Sequence, residues 1–230
     1  MIHNKSIKSL VFVLCIAFLQ SNLFAMSKTL NITDPNSILD KKNEQITHLK
    51  IGGIINRKTI AKINKLFPNV EVLDMNKARI VAYTDVNNVR YRANEIPIAA
   101  FNRSLNLKSV ILPRDVVKIG KGAFWNCANL EKIVLPDSIQ IIDQFAFQLC
   151  TKLRHITFPQ RLVYIGGASF AGCSLLSSQK FTSKIPPQMP EWNPFSDIKP
   201  NECLIYVPAK SFSAYKKMLF LRNFQIKTFD

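Results

Sequence analysis

The residues of this chain that could do chemistry are its cysteines, histidines, serines and carboxylates, and their spacing limits what each could do. Cys127, Cys150 and Cys173 recur every 23 residues. That interval is not the C-x-x-C of a zinc or redox site, and no H-E-x-x-H occurs. If the three stack, neighbours lie about 4.8 Å apart, within the Cα range of a disulfide. Side chains in a ladder run parallel, however, and three members leave one unpaired. Buried free thiols are therefore expected, with a Cys127–Cys150 or Cys150–Cys173 bond as the alternative; Cys203 is expected to be free as well. His48 and His155 fall on outward strand positions about four repeats apart, too far to share a metal, and His3 lies in the N-terminal segment. Ser169, in GGASFAG, is faintly like a serine elbow, but it sits in a column of small inward residues, where its hydroxyl is expected to bond to backbone. No glycine-rich phosphate loop is present and no carboxylate pair stands out. The chain is expected not to be an enzyme, with no catalytic residue, metal or cofactor assigned.

The elements that position these residues repeat. Residues 107–175 are three ungapped copies of a 23-residue unit: LKSVILPRDVVKIGKGAFWNCAN, LEKIVLPDSIQIIDQFAFQLCTK and LRHITFPQRLVYIGGASFAGCSL. A fixed period in this range signals a solenoid, whose units complete their cores only by stacking. Each front half alternates like a strand with one face buried, so Val110 and Leu112, Ile133 and Leu135, and Ile156 and Phe158 point inward. Pro113, Pro136 and Pro159 end these strands because proline donates no N–H to a ladder. Each back half returns the chain and carries further inward columns: Val116, Ile139 and Leu162; Ile119, Ile142 and Ile165; Ala123, Ala146 and Ser169; Phe124, Phe147 and Phe170.

The pattern L-x-x-[IV]-x-[LF]-P…I-[GD]-x-x-[AS]-F-x-x-C resembles the BspA-like leucine-rich repeat of bacterial secreted and cell-surface proteins. In weaker form the resemblance extends over about residues 29–220. It implies an α/β leucine-rich-repeat solenoid with one short parallel strand per repeat and helical or irregular caps. It also implies an extracellular interaction or adhesion scaffold, and no conserved active site. Against the larger members it resembles, this sequence shows few repeats and no recognisable anchoring domain, so the resemblance does not extend to an expectation of surface attachment.

Residues 1–25 read as a signal peptide, with Lys5 and Lys8 before the apolar run Leu10–Leu19 and cleavage sites after Ala25 or Ser27. The alternative is an uncleaved anchor, but the run is far short of the about 20 residues a span needs. Cys15 follows Leu14 inside the run, so it does not read as a lipoprotein site. The full chain carries 31 basic and 15 acidic residues, net +16, and loss of Lys5 and Lys8 leaves +14. Export argues against nucleic acid as a partner. The basic charge, dispersed over several segments, reads either as a solvated surface or as attraction to an acidic glycan.

After the signal, one continuous domain is expected: an N-terminal cap and divergent repeat over 26–69, the solenoid over 70–200, and a C-terminal cap over 201–230. Leu30 and Ile32 suggest a first strand, Asp34-Pro35 the start of a short helix near 36–42, and ITHLKIG a second strand. Residues 57–66 read as a helix with Ile60 and Ile63 on its apolar face, ended by Pro68. About 77–95 is an insertion, read as a basic polar loop with a small hairpin at Asn87–Asn88; it is either a mere excursion or a binding element. Beyond 175, Gln179 falls where isoleucine belongs, Phe195 extends the Phe column, and 211–220 suggests a closing helix with Phe212, Tyr215 and Leu219 on one side. Phe224 and Ile226 suggest a last strand. Trp125 and Trp192 are expected to pack against neighbouring loops.

The strand positions that alternate with the core share one outer face: His48 and Lys50, Val72 and Asp74, Ser109 and Ile111, Lys132 and Val134, His155 and Thr157, Ser178 and Lys180. Repeat proteins bind partners on such a face. The alternative is that these are simply good strand residues. A protein partner or an acidic glycan, and a monomeric state, complete the expectation.

Overall fold

The computed structural model describes residues 25–34, 42–189 and 192–230. The expected targeting segment (1–25) and the short helix near 36–42 lie outside these residues, apart from Ala25 and Lys42 at their edges. Among the described residues, no helix is long and apolar enough to cross a membrane.

The chain coils as a solenoid with parallel strands on its front. β1 (Met26–Ile32), β2 (Ile46–Ile55), β3 (Val72–Ile80), β7 (Ser109–Ile111) and β9 (Lys132–Val134) form one sheet in that order. β11 (His155–Phe158), β13 (Ser178–Phe181), β14 (Leu204–Pro208) and β15 (Gln225–Phe229) form a second. Each strand pairs in parallel with the next, 23 residues on in the regular coils, as Ser109 with Lys132 and His155 with Ser178.

Behind this front runs a ladder of two-residue strands: β6 (Glu95–Ile96), β8 (Lys118–Ile119), β10 (Ile141–Ile142) and β12 (Tyr164–Ile165). Its inner column, Ile96, Ile119, Ile142 and Ile165, is fully buried. A third set of backbone bonds closes each coil. The Phe101 N–H donates to Ala123 O at 2.7 Å, Phe124 to Ala146 at 2.8 Å, and Phe147 to Ser169 at 2.7 Å. Successive regular turns are therefore tied along the back ladder and along this third line, and also along the front wherever the strands pair.

The interior is the expected one. Phe101, Phe124, Phe147 and Phe170 stack with centroids 5.1–5.2 Å apart, and Phe195 continues the column at 5.7 Å from Phe170. All five rings are buried. Offset aromatic pairs at this spacing contribute beyond their buried area. Of the six inward strand positions expected in the ungapped coils, Leu135 alone is only half-buried.

The N-terminal helix α1 (Arg57–Leu66) has the expected bounds. Asn56 caps it: its side-chain oxygen accepts from the Thr59 N–H at 3.1 Å while Thr59 Oγ1 accepts from the Asn56 N–H at 3.4 Å. Ile60, Ile63 and Leu66 face the core.

Three expectations are corrected. First, the insertion does not begin at 77 as a loop. β3 runs on to Ile80, with Ala78 and Ile80 buried and paired to Gly53 and Ile55 of β2. A bulge explains the misreading: Asp74 faces Lys50 but Lys77 faces Gly52, so one extra residue flips the inward parity from Leu73 and Met75 to Ala78 and Ile80. The surplus then forms a hairpin of β4 (Tyr83–Thr84) and β5 (Arg90–Tyr91), whose turn holds Asn87 and Asn88, with Asn88 at φ +63°.

Second, the closing helix α2 spans only Phe212–Lys216. Tyr215 is buried and its hydroxyl donates to Ser183 O at 3.0 Å. Phe212 and Leu219 stay 40% and 59% exposed; residue 219 lies beyond the helix, and Leu221 is buried in its stead. Third, Ser169 is buried in the small column as expected, but its hydroxyl has no hydrogen-bond partner.

Candidate protein-interaction face

The pleat of the front strands sets the site. Because side chains alternate across a strand, every residue beside the inward columns must face out, and parallel in-register pairing lines these residues up across the strands. One row runs from Ser27 through His48, Val72 and Ser109 to Lys132, and on the second sheet from His155 and Ser178 to Leu204 and Gln225. The other runs from Thr29 through Lys50, Asp74 and Ile111 to Val134, then Thr157, Lys180, Tyr206 and Lys227.

All twelve residues expected on this face are exposed or half-exposed, and their inward neighbours Leu49, Leu73, Val110, Ile133, Ile156 and Gln179 are buried. The structure extends the rows by Ser27 and Thr29 at one end and by Leu204, Tyr206, Gln225 and Lys227 at the other. The signal for these was the alternation in MSKTLNI, LIYVP and QIKTF.

The face is held by side chains that bond along it. His155 Nδ1 lies 2.8 Å from Ser178 Oγ, and His48 Nδ1 lies 3.0 Å from Thr47 Oγ1. The Lys180 ammonium sits over the Phe229 ring at 4.4 Å. The two histidines remain on separate strands, and no cluster of three metal-ligating side chains occurs among the described residues.

The cysteine column is structural. Cys127, Cys150, Cys173 and Cys203 are free and buried. Each column thiol donates to the carbonyl of the Phe one coil earlier: Cys127 to Phe101 at 3.0 Å, Cys150 to Phe124 at 3.2 Å and Cys173 to Phe147 at 3.2 Å. A small apolar side chain with one weak donor suits that slot. Burial pushes the Cys127 and Cys173 thiols up to about 12 and Cys150 well above its ordinary value. Reactive thiolates need the opposite environment.

On the other side of the molecule the hairpin is organised by Asp85. Its Oδ1 accepts from the Asn87 and Val89 amides at 2.9 and 3.0 Å, and the Tyr91 hydroxyl donates to its Oδ2 at 3.2 Å. Chiefly the Val89 amide, aided by Asn87, Tyr91 and the Arg57 charge, holds this carboxyl below its usual range. Trp125 packs under the Arg103 guanidinium at 5.0 Å, whereas Trp192 remains 56% exposed.

Comparison with known proteins agrees with this geometry. Residues 83–188 match the BspA type leucine rich repeat region in six copies. A leucine rich repeat protein of T. pallidum is 23% identical, with a TM-score of 0.50 over 75% of this chain and 72% of that one. A leucine-rich repeat protein from Bacteroides ovatus is 22% identical, with a TM-score of 0.48 over 88% of this chain; the chain spans only 42% of that protein's length. The pneumococcal vaccine antigen PcpA is 15% identical, with a TM-score of 0.47 over 91% of this chain and 68% of that one. No curated protein matches the chain. Three ungapped 23-residue units, their stacked Phe and Cys columns and the family match together identify residues 83–188 as a BspA type leucine rich repeat region.

Proposed function

We propose that the chain is an exported, non-catalytic repeat scaffold that binds a protein partner at or beyond the cell surface, as a monomer, through its front sheet face. The observation that carries this reading is the pair of aligned rows described above. They are open to solvent across both sheets, with a sealed apolar interior behind them. Their mix of lysine, histidine, threonine and β-branched residues offers a broad surface for a protein and no deep cavity for a small molecule.

A photo-crosslinker at Thr157 tests the reading against the same probe at Ser174, an exposed residue in the turn after the cysteine column. Envelope and host-surface extracts are expected to yield a discrete crosslinked protein at Thr157 that Val134→Asp abolishes. Equal yields at both positions would remove the case for the face. Export is checked separately: the secreted chain should begin at residue 26 or 28, and retention of residues 1–25 would contradict it.

A second reading, attraction to an acidic polysaccharide, is favoured by the basic charge, +16 for the full chain and +14 without Lys5 and Lys8. Such binding should weaken steeply between low and physiological salt.

A further inference from the structure

On the side opposite the sheet face, the hairpin and the back ladder enclose a cleft of about 520 Å³. Arg57, Arg90, Arg92 and Lys118 line it, with Glu95 as the acid among them. The Arg57 guanidinium lies 4.1 Å from the Tyr91 ring centroid, which fixes the plane of that charge. Among the described residues, no carboxylate comes within ion-pair distance of the three arginines, and Arg90 and Arg92 are exposed. Guanidinium forks suit planar or tetrahedral oxyanions.

The same back surface carries a second feature. In four successive coils the third residue after the inner ladder turns left-handed: Ala99, Gly122, Phe145 and Ala168 have φ of +54°, +58°, +59° and +52°. Three coils place a small residue there. The third places a phenylalanine, where a bulky side chain is most disfavoured, and its ring is half-exposed, outside the core. The Phe145 ring lies 6.1 Å from Trp192 at 37°, with the Lys121 ammonium 5.5 Å away on its face. Trp192 is itself largely exposed, against Gly167. Lys121 shares a coil with Lys118, so the arginine cleft and the aromatic shelf adjoin along the ladder. Successive coils rise about 4.8 Å, comparable with one sugar residue of an extended polysaccharide.

We propose that an acidic polysaccharide lies along this back ladder, its carboxylate or sulfate groups held by Arg57, Arg90 and Arg92 and a sugar ring seated on Phe145 and Trp192. The proposal rests on the second reading above and gives it a place. A half-exposed aromatic pair beside guanidinium groups that hold no ion-paired carboxylate matches the two chemistries of such a chain, acid groups and the C–H face of a sugar.

Calorimetric titration of the full chain with oligogalacturonate (carboxylate only) and with heparin fragments (sulfate-rich) separates the sources of the anion. Either or both should bind at low salt. Arg90→Ala/Arg92→Ala should weaken that binding about tenfold or more, and Lys152→Ala/Lys210→Ala, an equal charge loss elsewhere, less than about twofold. Phe145→Gly, which relieves the left-handed strain, should weaken saccharide binding without lowering the thermal midpoint, and should leave binding of inorganic polyphosphate unchanged. If the wild type binds neither saccharide, both this proposal and the polyanion reading fall. Equal losses in the two double variants sink the cleft but spare that reading. An unaltered saccharide affinity in Phe145→Gly, or polyglutamate bound as tightly as either saccharide, would overturn the assignment of a sugar chain.

Discussion

The ungapped coils of 107–175 and the inserted hairpin at 83–91 hold their shapes by different means. In the coils, Phe stacks on Phe and isoleucine pairs with isoleucine 23 residues away, and each column thiol donates to a Phe carbonyl of the coil before, 26 residues away. In the hairpin, one carboxylate collects two amides and a phenol, and Val86 and Val89 stay in water. The coils are stable because neighbours supply buried area, and the hairpin is ordered because one side chain satisfies its turn. Substitution in the first region should therefore damage the whole molecule, and in the second only a local surface.

The largest expected effect is Phe147→Ala. Removing the middle ring of a five-ring column should cost about 3–5 kcal/mol in a urea melt, whereas a loss under about 1 kcal/mol would mean the column does not hold the coils. Alkaline pH comes next. The folded state favours the neutral thiol, since Cys127 and Cys173 are raised from 9.0 to about 12. Their contribution is complete below about pH 9 and is lost as pH climbs toward about 12. These two alone should lose about 2–3 kcal/mol by pH 10, measured as melts at pH 7 and 10, and Cys173→Ala should flatten that slope.

Gln179 sharpens the comparison from the opposite direction. It occupies an inward strand slot, fully buried, with Nε2 at 3.5 Å from Cys203 Sγ and Oε1 without a partner. Gln179→Ile, matching Ile133 and Ile156, should stabilise by about 1–2 kcal/mol; destabilisation would show that the amide is needed there. The smallest effect belongs to Asp85→Ala. The melting midpoint should hold while the Asn87 and Val89 amides lose protection from hydrogen exchange. The same local loss is expected in the wild type as pH falls below the ordinary carboxylate range, because the folded carboxyl is held low and must be protonated there.

The inward columns were legible because each repeats a residue type at a fixed interval. Helix α1 was legible because Ile60 and Ile63 share a face and Pro68 stops it. The misreadings share a cause. In β3 a bulge shifts the alternation by one residue, so KARI reads as loop although Ala78 and Ile80 are inside. At the C-terminus a helix of five residues is too short for its apolar stripe to hold, and Leu221, outside the expected stripe, is buried while Leu219 is not. Both are changes of local geometry that leave composition unaltered.

By itself the sequence determined the period, the residues that face inward, and hence the two outer rows of the sheet, because strand parity and a 23-residue register leave each side chain a single direction. Only the tertiary structure decided what meets across the back. Arg57 joins Arg90 and Arg92, and Phe145 meets Trp192, although neither separation is a multiple of the repeat. Those meetings depend on how an inserted hairpin and an irregular crossing fold over the ladder, and contacts made by non-repeating segments leave no periodic trace in the chain.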